Sequence, residues 1–495
     1  MTPDEFNFLC RSCDDLLKKG KCKVNRIAIS WLHVLRGHPE LLKEYTHLFS
    51  RGTPTGALRD LFSACWKIAH GFLYSCKATS FFSSHIIAGK VHQKVDVFIF
   101  SHIVNENQAG RSEDFYFGSI PDLINSSDCR AIVLLLNHSL VPAKKLAKKM
   151  PAGIQVPRIF LSQRISPKRS ITIYFSMLCQ CLQLFVQLLK KQNFIERRII
   201  ASAATESLSA GTFANMRLYF HVKALVEKYQ PNTIFFTFEG HAYERMIMAA
   251  ARSLDNAVQC IGYQHAAVFN NQHAMIRRIG SSFDPDMIYT TGHAPLQILR
   301  TISSYKKTEL KVAGTDRAFR SMSASTLSSN IISSCLVVPE AFLGECYRLF
   351  SYSLFCARHF PEIQFTWRLH PHTNKHQLLV AFPEFRELPD NVHISNATLE
   401  VDIAKNQAVL YRGSTVVINA VVRGLYPIYL SQGDSELIID PLYQCTEGKE
   451  KVTPDVLPSV FTNRSVLSDD AFATIISYAK TYYEPIYKEL FLRVT

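Results

Sequence analysis

Residues 233–265 limit what this chain can fold into. Residues 233–238 (TIFFTF) form a run of β-branched and aromatic residues ending at Glu239-Gly240-His241. Residues 242–254 then carry apolar positions at helical spacing, with Glu244 and Arg245 in the first turn. Residues 258–262 resume as a strand and end at Tyr263-Gln264-His265. Strand, helix and strand in this length make a βαβ unit, which requires parallel pairing and a sheet covered on both faces. Ligands of such sheets bind beyond the carboxyl ends of the strands, which places Glu239, His241, Gln264 and His265 at a cleft. A carboxylate there suits a general base. Taken singly, Glu239 fits a helix N-cap acid as well, and His265 a satisfied structural histidine.

The same rhythm recurs on either side. Residues 95–100 read as a strand ending at Ser101-His102, and 131–136 as one ending at Asn137-His138. Further strands are predicted at 286–291 and 310–313, followed by a serine-rich run at 318–333 that reads as an interdomain linker. A second series then begins. Residues 335–338 lead to Pro339-Glu340, 345–359 to a helix, and 365–369 to His370-Pro371. Residues 408–411 lead to Arg412-Gly413-Ser414-Thr415, a helix over 416–423 closed by Gly424, and a last strand at 427–429. A strand that stops at hydroxyl residues where a helix begins turns backbone N–H groups outward at the positive end of a dipole, an anion site. Arg368 precedes His370 by two residues, which puts both on one face of an extended strand.

The expected fold is α/β, with two Rossmann-like domains facing a cleft. The division is a helical N-terminal extension at 1–90, a first domain at 91–317, a linker at 318–333, a second domain at 334–465 and a C-terminal helix at 466–495. A chain of 495 residues with 47% hydrophobic content has the material for two such cores.

Charge and cysteine use narrow the partners. The net charge of +14 calls for an anionic one. Lys144, Lys145, Lys148, Lys149, Arg158, Arg164, Lys168 and Arg169 come with no intervening acid, and the apolar run 171–189 follows at once. Gln180, Gln183 and Gln187 share one face of that run, which favours a buried or membrane-surface helix over a span. Residues 144–189 are therefore expected to meet an anionic membrane. Nucleic acid ranks behind, since no recognition motif accompanies the charge. The 13 cysteines are scattered, several of them in apolar runs, as reduced thiols of a cytoplasmic protein would be, and the N-terminus lacks signal-peptide order. Cys10-x-x-Cys13 lacks a second pair and is read as chance spacing rather than a zinc knuckle.

Dinucleotide, P-loop, zincin and nucleophile-elbow motifs are all missing. What remains resembles the GT-B-fold glycosyltransferases of bacterial surface polysaccharide biosynthesis. Within them it looks most like the branch that uses CMP-activated sugars, the sialyl-, polysialyl- and Kdo-type transferases. Phe238-Glu239-Gly240 resembles the carboxylate–glycine pair of the base, His370-Pro371 the His-Pro of the CMP site, and Gly413-Ser414-Thr415 its hydroxyl-rich turn. The resemblance covers roughly residues 95–430.

It implies Glu239 as base and His370, Ser414 and Thr415 as stabilisers of the leaving phosphate. Arg368 and Arg412 would be further phosphate partners, and Glu340, Pro371, Gly413 and Asn419 would complete the donor site. His102, His241, Gln264 and His265 would face the acceptor. Asn419 stands where many such enzymes carry a ribose-binding glutamate. No D-x-D pair stands at a strand end, so no metal is expected, and no cofactor beyond a nucleotide-sugar donor. The acceptor would be a glycan or lipid-linked glycan, as in capsule or lipopolysaccharide. Rival readings are a teichoic-type polyol-phosphate transferase, a sugar-nucleotide epimerase, and a non-catalytic polyanion-binding assembly protein.

Overall fold

A computed structural model describes the whole chain except residues 20–22, 51–53, 81–83, 128, 255–257, 306–307, 319–331, 434–435, 463–467 and 493–495. The first sheet holds β1 (Ile86–Ala88), β2 (Val97–Ile103), β3 (Ala131–Asn137), β4 (Arg158–Phe160), β5 (Thr233–Thr237), β6 (Gln259–Gln264), β7 (Met287–Thr290) and β8 (Glu309–Val312). Their order is β1-β4-β3-β2-β5-β6-β7-β8, and every pairing but β1–β4 is parallel. Every residue of β2 and β5 is buried, as a parallel strand covered on both faces must be. From β2 the chain winds outward one way and from β5 the other. The gap between them is therefore the topological switch point.

The second sheet holds β9 (Ser334–Val338), β10 (Gln364–Trp367), β11 (Val392–Ile394), β12 (Ala408–Tyr411), β13 (Tyr426–Leu430) and β14 (Glu450–Val452). It runs β11-β10-β9-β12-β13-β14, all parallel, with its own switch point between β9 and β12. The chain is thus α/β with two Rossmann-like sheets. The three-residue strands β1, β4, β11 and β14 are additions to the expected set, each too short to show a period. Because β1 joins the first sheet, the helical N-terminal segment stops before residue 86. The expected linker at 318–333 lies almost wholly outside the described residues.

Two segments tie the halves together. The helix Asp469–Lys480 packs on the second domain, where Phe472 stacks on Tyr426 at 4.2 Å. The chain then crosses to the first domain, so the expected C-terminal helix is a helix, a crossing segment held by backbone contacts and a short helix Glu489–Leu492. There Ala294 N–H donates to Thr481 O at 3.0 Å, Glu484 N–H to Thr291 O at 2.9 Å and Thr315 N–H to Glu484 O at 2.7 Å. The second tie is N-terminal. Leu9, Cys13 and Leu17 of the helix Pro3–Lys18 bury themselves with Ile173, Leu184 and Ile199, and residues 33–40 continue into the cleft. Cys10 and Cys13 are both buried thiols there, and all described cysteines are free.

Candidate active site

Glu239 lies just past the end of β5, at the first switch point. Its backbone is clamped. The fully buried Glu244 carboxylate accepts from the N–H groups of Glu239 at 3.0 Å, Gly240 at 2.7 Å and His241 at 2.9 Å. Burial pushes the Glu244 carboxyl up to about 7, while these donors pull the other way. Gly240 has φ +87°, and a Cβ there would overlap the Ala274 carbonyl. The segment it touches is rigid in turn. The buried Arg245 donates to the carbonyls of Phe283 at 2.9 Å, Ala274 at 3.0 Å and Arg277 at 3.0 Å, and pairs with Asp284. Gly240→Ala is therefore expected to lose about 2 kcal/mol or more of stability, since left-handed backbone costs an alanine roughly 1–2 kcal/mol before any overlap. Denaturant unfolding measures it.

With the backbone held, the Glu239 side chain, 31% exposed, faces two imidazoles. Its Oε2 is 3.4 Å from His241 Nε2 and its Oε1 3.6 Å from His265 Nε2. Burial alone would raise the Glu239 carboxyl, but the hydrogen bond with His241 and nearby cationic groups, Arg36 among them, bring it down to about 2. Burial would lower His241, yet Glu239 and Glu244 raise it overall. His265 goes the other way, to about 4, because burial outweighs the pull of Glu239. At neutral pH the site thus holds an ionised carboxylate beside a neutral His265.

Further rings pack behind and beside these groups. His102 Nε2 meets Thr237 Oγ1 at 2.8 Å, and its Nδ1 meets His138 Nε2 at 3.1 Å. Tyr116 packs edge-on between His102 and His265, at 5.6 and 4.9 Å, and Tyr243 stacks on His241 at 5.0 Å. Burial holds His102 and His138 below their ordinary values.

The second half centres on Glu340, just past β9 at the other switch point. Arg36 Nη2 donates to its Oε1 at 2.8 Å and His38 Nε2 to its Oε2 at 2.6 Å. His38 Nδ1 accepts from Glu40 N–H at 3.2 Å, so the hydrogen-bond network assigns the ring proton to Nε2. The same N-terminal segment is pinned to the first domain. Gly37 N–H donates to Asn271 O at 2.7 Å, Ala274 N–H to Leu35 O at 3.1 Å, and the Arg36 guanidinium lies 4.3 Å over Phe269. Residues 35–38 form a strap through the cleft, with Arg36 between Glu239 of one sheet and Glu340 of the other. A Cβ at Gly413 would overlap the Glu340 carboxylate, so only glycine fits beside it.

Burial would raise the Glu340 carboxyl, but the His38 hydrogen bond and the Arg36 charge bring it to about 2. Its folded value lies below the ordinary 4.5, as does that of Glu239, so both stabilise the fold fully above about pH 4.5. That contribution is lost as pH falls from there toward 2. Unfolding midpoints measured between about pH 5 and about pH 3 are expected to fall steeply in the wild type and less steeply in Glu340→Gln.

Several expected site residues are engaged elsewhere. Arg368 lies past the end of β10, so strand alternation does not apply to it and His370, and it donates to Asp402 Oδ2 at 2.5 Å and Ala397 O at 2.8 Å. Arg412 is buried between Glu345 at 2.6 Å and Glu436 at 2.5 Å. Gln264 is buried, donating to Ala266 O and accepting from Thr291 N–H at 3.3 Å, so it shapes two turns instead of meeting an acceptor. His102 lies inside β2 and supports His138 rather than lining the cleft. Glu340 holds the strap and has both oxygens taken.

His370 stays available. Its Nδ1 accepts from His372 N–H at 3.2 Å, which leaves Nε2–H to donate, and burial lowers it against the pull of Glu340. Pro371 is exposed beside it. Ser414 is buried and Thr415 exposed at the start of the helix Val416–Val422, and half-buried Asn419 makes no side-chain hydrogen bond among the described residues. Asp284 and Asp286, a D-x-D pair before β7, are spent on Arg245 and Arg252. The strap residues Arg36 and His38 carried no sequence signal, since they sit far from any strand end. His138 was legible at the end of the strand expected over 131–136 and Tyr243 follows β5 closely, whereas Tyr116 lies far from any strand end and carried no such signal.

No family model and no curated protein matches the chain. Solved structures with a similar chain path include the glycotransferase of kitacinnamycin (TM-score 0.42, 11% identity, 78% of this chain and 94% of that one). The glycosyltransferase SnogD from Streptomyces nogalater gives 0.42 at 13% identity over 79% and 97%. The UDP-GlcNAc 2-epimerase from Neisseria meningitidis bound to UDP-GlcNAc gives 0.40 at 10% over 81% and 99%. These likenesses concern architecture and none bears on chemistry.

Proposed function

We propose that the chain transfers a sugar from a nucleotide donor to an acceptor hydroxyl, with Glu239 as the base. The observation that carries this reading is the carboxylate itself. It is ionised, partly open, clamped through its backbone, and flanked by one imidazole on each oxygen. A carboxyl held near 2 is a weak base, so it takes the acceptor proton only as the oxygen commits its electrons to the anomeric carbon. The acceptor O–C bond forms, the sugar–phosphate bond breaks, and the proton ends on Glu239 with His241 beside it. Negative charge then grows on the leaving phosphate. His370 Nε2–H and the hydroxyls of Ser414 and Thr415 are the groups to stabilise it, as preorganised donors do.

A CMP-linked donor of Kdo or sialic-acid type is favoured by the resemblance of Glu239-Gly240, His370-Pro371 and Gly413-Ser414-Thr415 to that branch. The acceptor is then a surface glycan, free or lipid-linked, and Asn419 offers a neutral amide to the ribose. Metal independence is part of the reading, because both aspartates of the D-x-D pair are committed to arginines. The test offers CMP-Kdo, CMP-sialic acid, UDP- and CDP-linked donors with and without EDTA. Glycoside formed from a CMP donor at an unchanged rate in EDTA is expected. Turnover confined to the other donors overturns the CMP assignment, and loss in EDTA overturns the metal assignment.

A further inference from the structure

The helix Pro167–Leu189 divides its sides unequally. One side packs inward, with Ile173, Met177, Gln180, Cys181 and Leu184 buried. When the Gln180 amide oxygen faces Arg26, it accepts from Nε at 3.0 Å and Nη2 at 2.8 Å. The other side presents Ile171, Phe175, Leu178, Leu182, Val186 and Leu189 to solvent, between 39% and 78% exposed. Their spacing of three to four residues makes one continuous apolar stripe. The helix is long and apolar enough to cross a bilayer, yet its inner side is bound to the protein.

A second helix extends the surface. Pro54–Ser80 runs antiparallel beside it, with Ser170 Oγ donating to Ser75 O at 3.3 Å and Phe72 meeting the Tyr174 ring at 5.6 Å. It adds Phe62 at 73% and Trp66 at 70% exposure. Cations bracket the stripe: exposed Lys168 and Arg169 at one end, Lys190 and Lys191 at the other. Lys190 makes no ion pair among the described residues. Beside Lys190 and Lys191 a cavity of about 780 Å³ opens, lined by apolar Leu16 and Ile199, by Lys18 and by Asp14, Asp15 and Glu196.

We propose that this two-helix face docks on the surface of an anionic lipid bilayer, lying in the interface without spanning it. An apolar stripe ended by lysine and arginine matches the layering of a bilayer edge, where acyl chains meet anionic headgroups. An exposed tryptophan suits the same zone. The lysine-rich helix Ala143–Lys149 is not part of the face. Its Lys145 and Lys149 pair with Glu106 at 3.1 and 2.9 Å, and it packs near β1. The contact expected at 144–189 thus moves to Pro54–Ser80 and Pro167–Leu189. The assignment is independent of the transfer chemistry.

The test is flotation of the full chain with vesicles of phosphatidylcholine alone or mixed with phosphatidylglycerol. Flotation with the mixed vesicles only, falling about tenfold in Phe175→Glu/Leu182→Glu and in Lys190→Glu/Lys191→Glu, is expected. Both apolar positions are solvent-exposed, so the variants should melt like the wild type. Tryptophan emission gives a second reading on the unaltered chain. Trp31 and Trp367 are buried, so a blue shift on adding mixed vesicles reports Trp66. Wild type left in the aqueous phase with an unshifted emission overturns the proposal. So does a dimer that Leu182→Glu splits and that binds no vesicles, which would make the face a contact between copies of the chain. Equal flotation with both vesicles overturns the anionic assignment.

Discussion

Glu239→Gln is expected to cut transfer roughly 10²–10⁴-fold, the usual contribution of a positioned base, with the fold intact. The substitution keeps the shape and the hydrogen-bonding reach of the side chain but cannot hold the proton. The fold should survive because the loop is clamped from behind, by Glu244 on three backbone N–H groups, and not through the Glu239 carboxylate. His241 and His265 set a second signature. His241 is raised by Glu239, so its pKa should drop in the variant, visible by NMR of the imidazole protons. His265 loses the same pull and should fall further below its ordinary value, while staying neutral at working pH. Unaltered turnover in Glu239→Gln would remove it as the base. Loss of activity together with loss of the folded state would mean that the clamp, and not the carboxylate, was disturbed.

Glu340→Ala is expected to cost about 3 kcal/mol, because removing one member of a mostly buried ion pair strands the others. Arg36 and the fully buried His38 both give their proton to this one carboxylate. With it gone, a guanidinium and an imidazole face a low-dielectric cleft without a partner. The strap then keeps its backbone ties to the first domain through Gly37 and Leu35, and to the second domain the ring contact of His38 with Phe342 and the neighbouring Glu40–Arg348 pair. Glu340→Gln should lose less, since an amide oxygen still accepts one of the two bonds. A double-mutant cycle with Arg36→Met, read by denaturant unfolding, should return a coupling energy of about 1–3 kcal/mol. Additivity would show that Arg36 and Glu340 do not act together, and the strap would lose its role as the bridge between sheets.

Much of the fold was legible because parallel strands are apolar throughout. Residues 95–100, 131–136, 233–238 and 408–411 stand out as runs bounded by polar turns, and each overlaps a strand of the structure. Strand ends then marked both switch points, which is why Glu239, His241, His265, His370 and Gly413 fall where the chain pattern put them. The limits have physical causes. A side chain's position along the sequence does not say which carboxylate will claim it, so Arg368 and Arg412 read as phosphate partners although Asp402, Glu345 and Glu436 hold them. His102 looked like a residue beyond a strand because β2 continues to Ile103. The strap was invisible, since its anchors lie far away in sequence: Arg36 and Glu340 are 304 apart. The exposed stripe of Pro167–Leu189 was visible as apolar spacing, but only packing shows which side is left uncovered.

The most direct check follows the fate of the nucleotide–sugar bond. The full chain is incubated with a labelled CMP-linked sugar and a glycan acceptor, and the products are separated by chromatography and identified by NMR. Free CMP and a lengthened acceptor in equal amounts, both lost in Glu239→Gln, are the expected result. A sugar still attached to its nucleotide but changed in configuration, or a donor recovered intact across the whole panel, would contradict sugar transfer with Glu239 as the base.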